Sequence, residues 1–382
     1  MGYQDLREWL GKEGKGMGKR WALQTVVSIT AIFVGLSAFL ISPQEGVAQK
    51  SFFEGKTIRI IGGFSPGGGI DIRSRLFARH IAKFIPGKPT IIVQSMSGAG
   101  GIVAANYTFG GVAKPDGLSI LHFPSSTIMN AFLLKERVKY DLRKVPILWV
   151  MSDSWVTITN PKMSKLKTAK DILESSSQLA IGGTGATSLR TLRPKLAMVL
   201  LGVDHRWVTG YRGSSGLMAA MDRGELDLSE QSMASYKTLI QPREKDGTAA
   251  ILFQTGLLQR DGSFERARRI PNIPTLADLL PKGKKTGAVW EAWKAASAPQ
   301  AFQSVVGLPP GVSSERVAIL RKAFKSVTED PAFRADFKKT MGIPADAIVG
   351  KKAASVVDSG LKQLFNEFRE GVEYLRGLPK RK

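Results

Sequence analysis

Two glycine-rich turns hold the residues best placed to do chemistry. Residues 65–69 read Ser-Pro-Gly-Gly-Gly and follow a β-branched apolar run at 57–64 (TIRIIGGF), after which Ile70, Leu76, Phe77 and Ile81 recur at helical spacing. The same order of strand, turn and helix returns at 179–201, where residues 182–188 read GGTGATS. A helix N-terminus leaves several amide N–H groups without intrahelical partners, and the helix dipole adds about half a positive charge there. Such a turn suits an anion without any charged side chain; the alternative is that its glycines only make a tight turn between strand and helix. Glycine lets the backbone approach a ligand closely, and Ser65, Thr184, Thr187 and Ser188 add hydroxyl donors. Phe64, Ser65, Pro66, Gly67, Gly68 and Gly69 are therefore candidate ligand contacts, as are Gly183, Thr184, Gly185, Ala186, Thr187 and Ser188. Asp71 sits in the first helical turn, where it either caps its own helix or meets a ligand amine or water, with capping favoured.

Other loops are expected at the same place. A second glycine turn at 97–101 brings Gly98, Ala99 and Gly100 after the strand at 90–94, and the polar run 125–127 brings Ser125 and Ser126 after a strand at 118–123. Tyr211 and Arg212 are the candidates for ligand selectivity, because arginine forks carboxylates and tyrosine offers an aromatic wall with a hydroxyl; a solvent-facing Arg212 is the equal alternative.

These turns need a scaffold of alternating strands and helices, which implies α/β layers with a mostly parallel sheet. Residues 146–158 form an apolar stretch without a helical cap and suit a strand that crosses between two lobes; 304–308 suits a strand that crosses back. The chain from 314 to about 375 reads as helical, with an interruption near 342–350, and its helices are expected to pack on the first lobe. The domain reading is a leader at 1–48, lobe one at 49–155 and 303–382, and lobe two at 156–302.

The 382 residues accommodate a leader and two lobes, and 43% hydrophobic with 23% charged residues is a globular balance. The leader carries an apolar run at 21–42 behind Lys12, Lys15, Lys19 and Arg20, ahead of Gly46, Val47 and Ala48. Cleavage after Ala48 makes it a signal peptide; uncleaved, it is long enough to anchor the chain in a membrane, and either reading places the remainder outside the cytoplasm. With no cysteine there is no disulfide, thiolate metal site or cysteine nucleophile. The net charge of +23 is spread along the chain and not interleaved with aromatics, which argues against nucleic acid and for steering of an anionic ligand. His80, His122 and His205 lie in separate elements with no metal-ligand spacing, the glycine turns complete neither a P-loop nor a dinucleotide fingerprint, and no nucleophile elbow is present. No catalytic residue, metal or cofactor is expected.

The motifs FSPGGGID, SMSGAGG, a Pro-Asp-Gly turn, IGGTGATS, GYRGSS and IPNIPTLAD, in this order and spacing, resemble the substrate-binding receptors of tripartite tricarboxylate transporters, the Bug family. The resemblance covers roughly residues 56–375 and includes the later Leu-Pro-Pro-Gly-Val at 308–312. It implies a two-lobed periplasmic binding fold with two crossing strands and a ligand cleft between the lobes. It also implies a small organic anion, a carboxylate, held by backbone amides of the loops at 64–71 and 182–188 with waters assisting, and membrane transporter subunits as partners of a periplasmic, monomeric receptor. An alternative keeps the fold but presents the solute to a signalling membrane protein. The chain departs from the family where a histidine is common after the lobe-two loop, having Leu189 and Arg190, and where Gly210 replaces a proline before Tyr211. The stretch 282–303, with Trp290 and Trp293, also diverges.

Overall fold

A computed structural model describes residues 51–378 apart from Phe64, Ser65, Arg260 and Arg268. The expected leader, its cleavage point after Ala48, and the candidate contacts Phe64 and Ser65 lie outside the described residues. In chain order the strands are β1 (Thr57–Gly62), β2 (Thr90–Ser95), β3 (Ser119–Pro124), β4 (Ile147–Met151), β5 (Trp155–Thr159), β6 (Leu179–Gly183), β7 (His205–Thr209), β8 (Leu228–Ser232), β9 (Ala250–Gln254), β10 (Leu257–Leu258), β11 (Phe264–Glu265), β12 (Ser304–Gly307) and β13 (Ile348–Val349). The helices of eight residues or more are α1 (Gly69–His80), α2 (Ile102–Phe109), α3 (Ser125–Leu133), α4 (Leu189–Leu201), α5 (Gly213–Asp222), α6 (Gly287–Ser297), α7 (Ser314–Glu329), α8 (Pro331–Met341), α9 (Gly350–Asn366) and α10 (Arg369–Gly377).

Two lobes form around two mixed sheets. The first sheet has six strands in the order β13-β4-β12-β3-β1-β2, the second five in the order β7-β6-β8-β5-β9, and β10 and β11 make a separate hairpin. β1 pairs in parallel with β2 and β3, and β6 in parallel with β7 and β8, as strands linked through helices must. The strands that change lobes run the other way: β12 is antiparallel to β3 and β4, and β5 is antiparallel to β8 and β9. The sheets are thus mixed where alternation alone suggested a mostly parallel arrangement, because a strand arriving from the other lobe enters its sheet from the opposite end. The apolar stretch at 146–158, read as one crossing strand, is two strands in different sheets, with Ser152, Asp153 and Ser154 between them.

Local chemistry sets the helix ends. Ser313 accepts from the Arg316 amide to start α7, and Asp330 accepts from the Phe333 amide with Pro331 as the first residue of α8. α4 stops at Gly202, whose φ of 72° favours glycine. Lobe one's core is aromatic. Phe77 of α1 stacks on Phe333 at 5.3 Å and meets Trp149 of β4 and Phe324 of α7 edge-on. Trp290 and Trp293, in the stretch that diverged in sequence, lie on α6 and are buried among core side chains, with Phe264 of the hairpin against Trp290.

Candidate functional site

In both lobes the parallel strands end at turns that open helices, the place where α/β sheets hold ligands. After β1 the chain turns through Pro66, Gly67 and Gly68 into α1, and Gly67 has φ of 79°, a left-handed conformation that suits glycine. The Gly67 amide donates to Asp71 Oδ2 at 3.0 Å, and Arg75 Nε donates to the same oxygen at 2.9 Å. Asp71 therefore closes the turn. The amides at the start of α1 have no helical acceptor, which helix geometry dictates.

The second turn of lobe one packs on the first. A methyl added to Gly63 would lie 3.1 Å from Gly101 Cα, so the two turns touch through backbone. Ala99, Gly100 and Gly101 all have positive φ, and Asn130 of α3 donates to the Gly100 carbonyl at 3.1 Å. Gly98 is part-buried beside them while Ala99 and Gly100 are exposed. Ser125 follows β3 directly and is buried; its hydroxyl donates to Gln303 Oε1 at 2.5 Å and its amide to the Gln303 carbonyl at 3.3 Å. It fixes the returning segment to α3. Ser126 beside it is part-exposed.

In lobe two the turn 183–188 lies against α4. A methyl on Gly183 would come within 2.2 Å of Thr191 Oγ1, so only glycine fits there without displacing α4. Thr184 Oγ1 donates to Ser188 Oγ at 2.9 Å, and the Ser188 carbonyl accepts from the Thr191 and Leu192 amides at 2.8 Å each. Gly185, Thr187 and Ser188 are part-buried and Ala186 is exposed. Thr187 also lines a cavity of about 430 Å³ with residues 132–136 and Arg376 of lobe one. A larger cavity, about 930 Å³, lies away from all these turns, between Pro146 at the start of β4, α7 and the start of α9.

The selectivity candidates are placed differently. The Tyr211 amide donates to the Gly183 carbonyl at 3.4 Å, which joins its loop to the glycine turn, but its hydroxyl donates to Glu225 Oε2 at 3.1 Å. Burial and that bond push the phenol up. Arg212 is exposed and precedes α5.

The lobes meet at the first of these turns. A methyl on Gly69 would stand 2.5 Å from Ala234 Cβ, on the turn that follows β8. In the crossing segment, buried Asp153 accepts from Arg73 of α1 at 3.0 Å and from Ser232 of β8 at 3.0 Å through Oδ2, while Oδ1 accepts from the Ser154 amide at 2.9 Å. One carboxylate thus ties both lobes to the crossing point.

Sequence reasoning did not assign a charged cluster at the lobe-two end. Arg193 forks Glu230 with two bonds of 2.7 Å, both side chains being buried. Arg190, in the first turn of α4, stacks over Trp155 at 4.8 Å and donates to Ser214 Oγ at 3.1 Å. Its departure from the family pattern was the signal available; what it faces was not. β8 gave an equally poor signal, since its sequence LSEQS is polar yet all five residues are buried.

His122 lies between Ser74 Oγ at 2.8 Å and Ser304 Oγ at 2.7 Å, and burial, with the Arg73 charge, pushes it down to about 3. Both His122 and Ser74 are sealed in the core, and the Ser74 hydroxyl donates to the Ile70 carbonyl, so this serine and histidine are packing groups. Among the described residues no group of three or more His, Cys, Asp or Glu is arranged to hold a metal ion.

Against known proteins, the family profile "Tripartite tricarboxylate transporter family receptor" matches residues 74–347. The "UPF0065 protein in gbd 5'region" of Cupriavidus necator is 26% identical over 82% of this chain and 87% of that protein. "Protein BugT" of Bordetella pertussis is 24% identical over 59% of this chain and 67% of its own. Among solved structures, the periplasmic binding protein BugD superposes with a TM-score of 0.64 at 19% identity, covering 85% of this chain and 98% of BugD. MatC of Rhodopseudomonas palustris with bound malate gives 0.61 at 18% identity, covering 83% and 99%. An R. palustris protein with adipate gives 0.62 at 16%, covering 85% and 98%.

Proposed function

The chain belongs to the tripartite tricarboxylate transporter receptor family, a family of periplasmic solute-binding proteins, and from that premise we propose that it captures a small organic carboxylate between its lobes and delivers it to transporter subunits in the membrane. The observation that carries this reading is the pair of strand-to-helix turns at the carboxyl ends of parallel strands, 66–69 in lobe one and 183–188 in lobe two, where the amides of Gly68 and Gly69 and those of Thr184, Gly185, Ala186 and Thr187 have no acceptor among the described residues. Malate on MatC and adipate on the second R. palustris protein support the ligand class.

On this reading the ligand carboxylate is held by amides of the two turns, and the domain boundaries are those read from sequence: lobe one at 49–155 and 303–382, lobe two at 156–302. The crossing segment around Asp153 is the hinge. A ligand that contacts both turns binds the closed form better than the open one and shifts the population closed. Loss of water on closure strengthens each amide contact. The charge of +23 steers anions toward the protein from solution, and export through the leader places the receptor in the periplasm as a monomer.

A thermal-shift screen of the purified chain against carboxylates, amino acids and phosphate esters tests the reading. A ligand at 100 times its Kd stabilises by about 2.7 kcal/mol. Stabilisation confined to carboxylates is the expected result. A folded protein that responds to none of them, or to phosphate esters alone, overturns it.

A further inference from the structure

Arg190 occupies an unusual electrostatic position. Its guanidinium carries five N–H donors. Among the described residues one is spent, on the neutral Ser214 hydroxyl at 3.1 Å, and no carboxylate lies within ion-pair reach. The nearby carboxylate Glu230 is already taken: Arg193 Nε and Nη2 each donate to one of its oxygens at 2.7 Å, and Thr255 Oγ1 adds a third bond at 3.3 Å. Arg190 and Arg193 lie over the same Trp155 ring, at 4.8 and 4.9 Å from its centroid. Two cations and one anion thus share a small, partly dehydrated volume, and one positive charge is left without a counter-charge. Burial lowers the Arg190 guanidinium to about 10, Glu230 opposing and Arg193 adding to the effect, so it stays charged at neutral pH.

A part-buried cation with four unspent donors calls for an anion. Cation–π contact with Trp155 and a single hydroxyl bond hold the guanidinium in place but leave it free to donate two hydrogen bonds to a carboxylate. The position is also defined by the fold. Arg190 follows Ser188 of the lobe-two glycine turn by two residues, and it is held there by Ser214 in the first turn of α5 and by Trp155, which begins β5 just past the crossing segment.

We infer that Arg190 is a specificity-determining residue of the lobe-two wall, receiving a second anionic group of the ligand so that the site selects dicarboxylates over monocarboxylates of the same length. This rests on the carboxylate-receptor reading above. Trp155 and Ser214 are its positioning residues, and the Arg193 and Glu230 pair lies against the same ring.

The test is calorimetric titration of the wild-type chain, Arg190→Gln and Arg190→Lys with succinate, glutarate and adipate, each matched to butyrate, valerate and hexanoate. Charge-assisted hydrogen bonds of this kind give about a ten- to hundredfold preference for the diacid in the wild type. Arg190→Gln is expected to bring each diacid within about twofold of its monoacid while monoacid binding and melting temperature hold, and Arg190→Lys to keep part of the preference, since it keeps charge but not the fork. A purely structural role for Arg190 would lower the melting temperature and weaken both acids equally, leaving the ratio unchanged, and that result overturns the inference. So does a wild type that binds monoacids as tightly as diacids; in both of those cases the carboxylate reading survives. A folded wild type that binds neither series overturns the carboxylate reading and this inference with it.

Discussion

Gly69 offers the most direct probe of how the lobes approach one another. Alanine there places a methyl 2.5 Å from Ala234 Cβ, whereas carbon atoms rest at about 3.5–4.0 Å, so the α1 end and the turn after β8 must separate by roughly 1 Å. The conflict is confined to two methyl groups, because the next atoms, Ala234 Cα and carbonyl carbon, would be at 3.8 and 4.0 Å. Two effects oppose. Alanine is up to about 1 kcal/mol better than glycine in a helix, and overpacking costs about 1–3 kcal/mol, so the single variant is expected to lose about 0–3 kcal/mol. That net value alone decides little. A double-mutant cycle does, because Ala234→Gly removes the opposing methyl. Alone it should cost about 0.5–1 kcal/mol, and combined with Gly69→Ala it should recover about 1–3 kcal/mol relative to the sum of the singles. Urea unfolding of the four proteins measures the coupling. Ligand titration reports the same contact from the other side: if the full cost falls on the closed form, Gly69→Ala weakens binding by roughly 5- to 150-fold and Ala234→Gly restores it. Strict additivity, with coupling below about 0.5 kcal/mol and unchanged affinity in all four proteins, would refute a close approach of the lobes at Gly69 and Ala234.

Asp153→Asn should destabilise by about 3–5 kcal/mol in urea unfolding, because it strands the buried Arg73 charge, whereas Arg73→Met combined with Asp153→Leu should cost far less. A loss under about 1 kcal/mol for Asp153→Asn would show that Arg73 is compensated elsewhere. His122 predicts a pH effect. Its folded pKa of about 3 lies below its ordinary value of 6.5, so above pH 6.5 neither state is protonated and its contribution is complete. As the pH falls from 6.5 toward 3, the unfolded chain takes up a proton that the folded chain refuses, and stability drops by up to about 1.4 kcal/mol per pH unit. Unfolding free energies of His122→Gln should therefore fall less steeply over that range, and matching slopes would exclude the histidine as the cause.

The sequence by itself determined the local elements wherever turn chemistry and apolar period agreed. The glycine turns, α4 at Leu189–Leu201, the strand read at 118–123 and found at Ser119–Pro124, and the helical C-terminal region with its break near 342–350 all rest on residues close together in the chain. Their order also carried the family resemblance, which the match at residues 74–347 establishes. Tertiary structure decided the rest. The sequence suggests a turn and strand at 224–228, but β8 runs from Leu228 to Ser232, a polar stretch that hydrophobic patterning does not mark because its Glu230 and Ser232 are buried against Arg193 and Asp153, partners 37 and 79 residues away. β9 and the β10-β11 hairpin were not read from sequence at all, and the antiparallel entry of β5 and β12 follows from the path of the chain between lobes, which no local pattern encodes. The candidate site divides in the same way. A glycine turn before a helix announces an amide cradle, because that function belongs to the backbone. The free charge of Arg190 exists only because the fold pairs Glu230 with Arg193 and sets Trp155 beneath both guanidinium groups, and the net charge at a point depends on long-range pairing that local sequence does not contain.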